Sequence, residues 1–147
     1  MSRLVASFFG VGYFPVAPGT AGSAAALLLG AVLMLGPPWL LPLGATLAAA
    51  AGYLAIPRAV TDPHADPGWV VIDEVAGQWI ALLGLAGLSV TGLIMAFLGF
   101  RLLDIWKPGP IGWADRQTGA FGIMTDDIFA GGGVALALYA ARHLIVF

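Results

Sequence analysis

Long uncharged apolar runs alternate with short polar segments along this chain, and the runs define the predicted helices. Residues 4–57 contain no charged residue. Glycines and prolines interrupt this run before about residue 22, so we predict one helix at 22–35 and a second at 39–56. Crossing a membrane takes about 20 apolar residues. The two helices are therefore predicted to form a transmembrane hairpin.

A second uncharged run, 75–100, is long for a single membrane span. Two interpretations stay open, one long tilted helix or a hairpin of two helices that breaks near 89–92. We favour the hairpin, because it places the acids before the run on the same side as the cations after it, where they compensate each other. A last helix is predicted at 128–147.

The pattern predicts an all-α polytopic membrane protein, a single domain over residues 1–147 with about four to five helices. Hydrophobic residues make up 60% of the chain and charged residues 10%, whereas a soluble domain carries about 25% charged residues. The hairpins put five of the six lysines and arginines on one polar side. The positive-inside rule then makes that side, with its polar loops and any active site, cytoplasmic.

Charge is concentrated near the end of the chain. Residues 100–131 hold seven of the fourteen formal charges, counted as six Lys and Arg plus eight Asp and Glu. Asp73 and Glu74 form an adjacent pair at a predicted helix start, and Asp126 and Asp127 form another. The helix dipole favours acids there, but it explains one carboxylate better than two that repel each other. Two such pairs on one side would supply the hard oxygen ligands that Mg²⁺ requires.

Three charged residues near the end of a predicted helix recur at a spacing of three and share a broad face: Arg101, Asp104 and Lys107. Intrahelical ion pairs at the membrane surface are one explanation for this row. Asp104 is explained less well, because an aspartate near a membrane needs a partner or a metal. Pro108 ends the helix, so Lys107 is predicted at its end.

A glycine-rich turn leads into the first predicted helix and contains Thr20, Gly22 and Ser23. Such a turn offers free backbone N–H groups to an anion. A helix cap at Thr20 explains the same residues about equally well. The turn lacks the GK[ST] ending of a phosphate-binding P-loop.

The composition excludes several classes of site. The chain has no cysteine, which excludes disulfides and thiolate metal sites. No basic tract is present to bind nucleic acid. The two histidines, His64 and His143, are predicted on opposite sides, so they form neither a metal pair nor part of a serine triad.

Three blocks together carry a family likeness: GVGYFPVAPGTAGS (10–23), DPGWVVIDEVAGQW (66–79) and FRLLDIWKPGPIGWADRQTGAFGIMTDDIFAG (100–131). In combination they resemble phosphatidylglycerophosphatase A. The resemblance implies a Mg²⁺-dependent lipid phosphatase of the bacterial inner membrane, with its active site facing the cytoplasm. It would convert phosphatidylglycerophosphate to phosphatidylglycerol and inorganic phosphate. The implied partners are this phospholipid and the lipid bilayer, and a homo-oligomer is left open.

We assign roles to the charged residues accordingly. The expected magnesium ligands are Asp73, Glu74, Asp104, Asp126 and Asp127. The expected catalytic residues are Asp73, Glu74, Asp104, Lys107 and Asp127. The expected substrate-binding residues are Thr20, Gly22, Ser23, Arg101 and Lys107, with the two cations neutralising phosphate oxygens. The expected reaction is magnesium-assisted attack of water, and an aspartyl-phosphate route stays open.

The competing class is a cation- or proton-coupled transport protein, because carboxylates and an arginine among membrane helices can also line an ion path. Such a path needs polar groups through the depth of the membrane. The run at 75–100 offers only Gln78, Ser89 and Thr91, which favours the enzyme.

Overall fold

The computed structural model describes residues 1–144, which form α-helices and one 3₁₀ turn and contain no β-strand. Within this part of the chain the seven helices are α1 (Ser2–Ala6), α2 (Pro18–Leu33), α3 (Leu40–Ala59), α4 (Ile72–Leu82), α5 (Val90–Trp106), α6 (Pro110–Asp115) and α7 (Gly119–Leu144). The predicted all-α class is confirmed. Two of the helices, α3 and α7, are long and apolar enough to cross a membrane.

The uncharged run from residue 75 to 100 is broken into two helices, as the hairpin interpretation predicts. α4 ends at Leu82, and α5 begins after Ser89, whose hydroxyl accepts a hydrogen bond from the Gly92 N–H over 3.1 Å. A serine cap of this kind favours a helix start. The two helices are antiparallel, because the start of α4 meets the end of α5: Glu74 Oε1 lies 4.0 Å from Arg101 Nη1.

The last helix begins earlier than predicted, at Gly119 rather than residue 128. Asp126 and Asp127 therefore lie in the interior of α7, and the prediction that they open a helix is wrong. Gly122 lies inside the helix and packs tightly against the preceding loop, since a Cβ there would lie 2.1 Å from the Gln117 carbonyl oxygen. This close packing offsets the weak helix propensity of glycine. The predicted end of the helix, 145–147, lies outside the described residues.

The first long helix also begins earlier, at Pro18 rather than residue 22. Proline suits the first helical position, since its fixed φ matches the helix and its missing N–H would be unpaired there. The cap is Ala17, with a φ of 49°, so the predicted cap at Thr20 is wrong. The short helices α1 and α6 have no counterpart among the sequence predictions.

α4 lies at the centre of the bundle and makes its most extensive contacts with α7, followed by α3 and α2. Most of its side chains are buried. The surrounding helices expose large apolar side chains to their surroundings, among them Leu28, Leu47, Leu54, Leu98 and Leu136. Apolar exposure of this extent is unusual for a soluble monomer. The arrangement places the first turn of α4 between α2, α5 and α7.

Candidate active site

A cleft of about 320 Å³ lies where the start of α4 meets α2, α5 and α7. Its charged lining residues are Asp66, Asp73, Glu74, Arg101, Asp104, Lys107, Asp126 and Asp127. Apart from Asp66, these are the charged residues that the sequence analysis assigned to the site. Residues separated by more than fifty positions in the chain thus share one cleft.

The first turn of α4 contributes two carboxylates to this cleft. Asp73 is only 8% exposed, and its Oδ1 atom has no hydrogen-bond partner among the described residues. The same holds for Glu74 Oε2. A buried carboxylate oxygen without a donor is costly. Both oxygens therefore have the properties of cation ligands.

The interior of α7 contributes two further carboxylates, about two turns after the helix begins. Asp126 and Asp127 are 4% and 2% exposed. Asp126 Oδ1 accepts a hydrogen bond from the Asp127 N–H over 3.0 Å. Asp127 Oδ2 has no partner in the described part of the chain. Its position inside a helix excludes a capping role, so its burial needs another explanation.

The carboxylates form two overlapping groups that share Asp127. Oxygens of Asp73, Glu74 and Asp127 lie within 4.8 Å of one another, and so do oxygens of Asp104, Asp126 and Asp127. Mg²⁺ takes hard oxygen ligands at about 2.0–2.1 Å. The donor type, the spacing and the unpaired oxygens fit a divalent cation.

Arg101 brings a positive charge to the same cleft from α5. Its guanidinium forms an ion pair with Asp104, and its Nη1 donates a hydrogen bond to Ser23 Oγ over 3.4 Å. The structure thus contains one of the intrahelical ion pairs that the sequence analysis considered as an alternative explanation, between Arg101 and Asp104. The buried Arg101 Nε has no partner among the residues described, which leaves one donor of the guanidinium unused.

Lys107 caps the end of α5, as its position before Pro108 predicts. Its backbone has a left-handed conformation, with a φ of 51°. Its Nζ donates to Asp115 Oδ1 over 2.6 Å and to Asp126 Oδ2 over 2.5 Å. Burial lowers the pKa of Lys107, but the hydrogen bonds to both carboxylates raise it further, so its pKa lies well above the ordinary value. Lys107 is therefore a permanent cation that ties α7 to the end of α5.

The glycine-rich turn reaches the cleft with only part of its residues. Gly19 lines the cleft, and a Cβ on it would lie 2.3 Å from Glu74 Oε1. Thr20 is exposed, Gly22 packs against the residue before α4, and Ser23 Oγ donates to the Gly19 carbonyl over 2.9 Å. None of the last three lines the cleft, and their role in substrate binding stays a prediction.

Asp66 is the charged residue of the cleft to which the sequence analysis gave no role. It lies in the loop before α4, in one of the short polar segments between the apolar runs. The available signal was its position at the head of the block 66–79. Loop residues have no periodicity that places them near a helix end, so spacing could not bring Asp66 to the site.

The sequence profile of phosphatidylglycerophosphatase A matches residues 4–142. This chain belongs to the phosphatidylglycerophosphatase A family. The Phosphatidylglycerophosphatase A of Escherichia coli (strain K12) is 40% identical over 143 residues, which cover 96% of this chain and 83% of the relative. That of Haemophilus influenzae is 35% identical over 144 residues, covering 96% and 88%. The family resemblance is confirmed.

A third relative, from Bacteroides thetaiotaomicron, is provisionally named a phosphatidylinositol-3-phosphatase. It is 34% identical over 153 residues, covering 97% of this chain and 94% of the relative. No solved structure matches the chain significantly. All three relatives are named as phosphatases, so membership of the phosphatidylglycerophosphatase A family gives no support to the transport alternative.

Proposed function

We propose that this protein hydrolyses phosphatidylglycerophosphate to phosphatidylglycerol and inorganic phosphate with the help of Mg²⁺. Membership of the phosphatidylglycerophosphatase A family supports the reaction. The observation that carries the metal dependence is the cleft in which buried, unpaired carboxylate oxygens lie beside two cations. This combination of charges suits a divalent ion and a phosphate group together.

The ion would be held first by Asp73, Glu74 and Asp127, each of which has a buried oxygen without a hydrogen-bond donor. Asp104 pairs with Arg101 through one oxygen and would complete the site with the other. Both Asp126 oxygens already accept a hydrogen bond, so Asp126 would contribute only through a remaining lone pair. A magnesium ion here would stabilise charge on the phosphate and lower the pKa of an attacking water.

The two cations would bind the phosphate oxygens as the P–O bond breaks. Arg101 keeps an unused donor, and a guanidinium matches the geometry of a phosphate better than a point charge does. The Lys107 ammonium has three donors, of which Asp115 and Asp126 take two. The third would donate to a phosphate oxygen while the lysine holds Asp126 in place.

We place the protein in the bacterial inner membrane as a multi-pass bundle, with the cleft at the cytoplasmic face. α3 and α7 are long and apolar enough to span the bilayer. Arg101 and Lys107 lie at the cleft, whereas Arg142 lies near the far end of α7. This charge asymmetry supports a cytoplasmic cleft. The acyl chains of the substrate would stay in the bilayer while its headgroup reaches the carboxylates.

The substrate proposal is tested by phosphate release from three phosphomonoesters in the same mixed micelles: phosphatidylglycerophosphate, phosphatidylinositol 3-phosphate and soluble glycerol 3-phosphate. We expect the first to be hydrolysed fastest. Faster phosphate release from phosphatidylinositol 3-phosphate would contradict the proposed substrate but would still show a lipid phosphatase. The same preparation in liposomes should carry no ion flux. Flux without phosphate release from either lipid would favour a transport protein instead.

A further inference from the structure

Gly77 of α4 and Gly131 of α7 contact each other backbone to backbone. A Cβ on Gly131 would lie 2.2 Å from the Gly77 carbonyl oxygen and 3.0 Å from its Cα. A Cβ on Gly77 would lie 2.6 Å from the Asp127 carbonyl oxygen. Ordinary contacts between heavy atoms are about 3.5–4.0 Å. Neither position can therefore take a side chain unless the two helices move apart.

These two glycines lie one helical turn from two of the unpaired carboxylates. Gly77 follows Asp73 by four residues, and Gly131 follows Asp127 by four, so each glycine lies on the same face as its aspartate. The two helices are parallel, because Asp73 and Asp127 meet near the cleft while Gly84 meets Ala135 further along. Because only about 6 Å of helix separates each glycine from its aspartate, the distance between the two backbones at the glycines also determines the distance between the two carboxylates.

A third helix joins at the same point. A Cβ on Gly77 would lie 2.5 Å from Phe100 Cε2, and the Phe100 ring is fully buried. Phe100 directly precedes Arg101, which pairs with Asp104. The absence of a side chain at Gly77 therefore sets how closely α5 and α7 both approach α4 beside the cleft.

We propose that the Gly77–Gly131 contact sets the spacing of Asp73 and Asp127 and so makes the site selective for Mg²⁺ over larger divalent ions. The proposal rests on the metal site of the proposed function. Mg²⁺ demands oxygens at about 2.0–2.1 Å in near-ideal octahedral geometry, whereas Ca²⁺ accepts about 2.3–2.6 Å in flexible geometry. A Cβ at 2.2 Å must move away by about 1.3 Å or more to reach ordinary contact. Moving Asp73 and Asp127 apart in this way should therefore weaken the binding of Mg²⁺ more than that of the larger Ca²⁺.

Gly131→Ala tests the proposal, with Gly132→Ala as the matched control. A Cβ on Gly132 meets nothing within 4 Å, so the control adds the same methyl group to the next residue of the same helix. The readout is the affinity of the purified protein for Mg²⁺ alone and for Ca²⁺ alone, measured by titration calorimetry in detergent. A glycine that served only the fold would not change the ratio of these two affinities.

For Gly131→Ala we expect the Mg²⁺ affinity to fall by about 10–100-fold, as when residues behind metal ligands are altered. The Ca²⁺ affinity should fall less, so that the preference for Mg²⁺ drops. Gly132→Ala should match the wild type for both ions. A folded Gly131→Ala protein with the wild-type preference would overturn the inference. Wild-type protein that binds neither ion would instead contradict the proposed metal site.

Folding of each variant is checked by circular dichroism and size-exclusion chromatography without metal. If Gly131→Ala does not fold, Gly77→Ala takes its place, because its Cβ meets the Asp127 carbonyl at 2.6 Å, a longer distance than the 2.2 Å at Gly131. The same drop in preference for Mg²⁺ is expected. If neither variant folds, the contact serves the fold and not the ion, and the inference is wrong.

Discussion

The Lys107 ammonium at the end of α5 lies 2.5 Å from Asp126 Oδ2 in the interior of α7. The same ammonium holds Asp115 at the end of α6 over 2.6 Å. One cation thus joins three helices at the edge of the cleft. Because Asp126 is almost completely buried, its carboxylate depends on this partner for its charge.

Lys107→Met should therefore destabilise the protein and reduce its activity. Losing a hydrogen bond to a charged group costs about 1.5–3 kcal/mol. We expect the lower end, because the Lys107 side chain is 27% exposed and partly screened. The measurement is denaturant unfolding in detergent alongside phosphate release. Asp115→Asn is the control and should lose much less stability and activity, since the ion pair between Lys107 and Asp126 remains.

The destabilisation by Lys107→Met should persist from about pH 7 to about pH 9. The pKa of Lys107 is raised above its ordinary value. Its stabilising contribution is therefore fully present below the unfolded pKa near 10.4 and is lost only as the pH rises through the higher folded value. The measurement is the free energy of unfolding of the wild-type protein and of Lys107→Met at several pH values. A difference in stability that disappears by about pH 9 would contradict the ion-pair account.

Asp127→Asn should leave a folded protein that neither binds Mg²⁺ nor catalyses. Asparagine keeps the size and one oxygen, and the interior position in α7 leaves no cap to lose. Activity should fall by at least about a hundredfold, which corresponds to about 2.7 kcal/mol of transition-state stabilisation. Asp62→Asn, in the exposed loop before α4, is the matched control. A fully active Asp127→Asn protein would remove the residue shared by both carboxylate groups.

Arg101→Lys should fold but bind the lipid phosphate poorly. Lysine keeps the charge and loses the guanidinium fork, which bridges Asp104 and Ser23 and leaves Nε for the substrate. We expect kcat/KM to fall by about tenfold or more, the change produced by about 1.4 kcal/mol. Arg58→Lys, whose guanidinium donates to the Leu54 carbonyl of its own helix, should keep wild-type kinetics. Equal kcat/KM values for Arg101→Lys and Arg58→Lys would contradict a phosphate-binding role for Arg101.

The orientation of the cleft can be tested with single cysteines, because the chain has none of its own. His64 and Thr118 are exposed and line a pocket beside the cleft, with which it shares Asp66. Pro37 is exposed at the turn between α2 and α3 on the opposite side. Each of the three is changed to cysteine. In intact cells, an impermeant thiol reagent should label only the cysteine at 37. In inverted membrane vesicles it should label the other two. Labelling of the cysteines at 64 and 118 from different sides of the membrane would contradict an arrangement in which both loops lie on the side of the cleft.

The elements that could be predicted from the sequence are those whose position follows from hydrophobic runs and from the compensation of buried charges. The α4–α5 hairpin was predictable, because buried charges at the two ends of residues 75–100 had to compensate each other, and Glu74 does lie beside Arg101. Pro108 likewise predicted the end of α5 at Lys107. Both predictions follow from local chemistry and do not depend on which helices pack together.

The starts of α2 and α7 were not predictable from local propensity. Glycines before about residue 22 were interpreted as interrupting a helix, yet Gly19 lies inside α2, where Glu74 Oε1 occupies the space of its missing Cβ atom. Residues 119–127 were not assigned to a helix, yet Gly122 lies inside α7 with the Gln117 carbonyl oxygen in the space of its missing Cβ atom. Only the tertiary structure reveals such contacts. The contact between Gly77 and Gly131 was hidden for the same reason, since spacing does not tell which glycine faces which helix.

The most direct test of the central proposal is phosphate release from phosphatidylglycerophosphate by the purified protein with and without magnesium. We expect release with Mg²⁺, its loss in excess EDTA, and its return when Mg²⁺ is added back beyond the chelator. Folding in EDTA is followed by circular dichroism, so that loss of the ion is distinguished from loss of structure. Full activity after chelation would contradict a metal site formed by Asp73, Glu74 and Asp127.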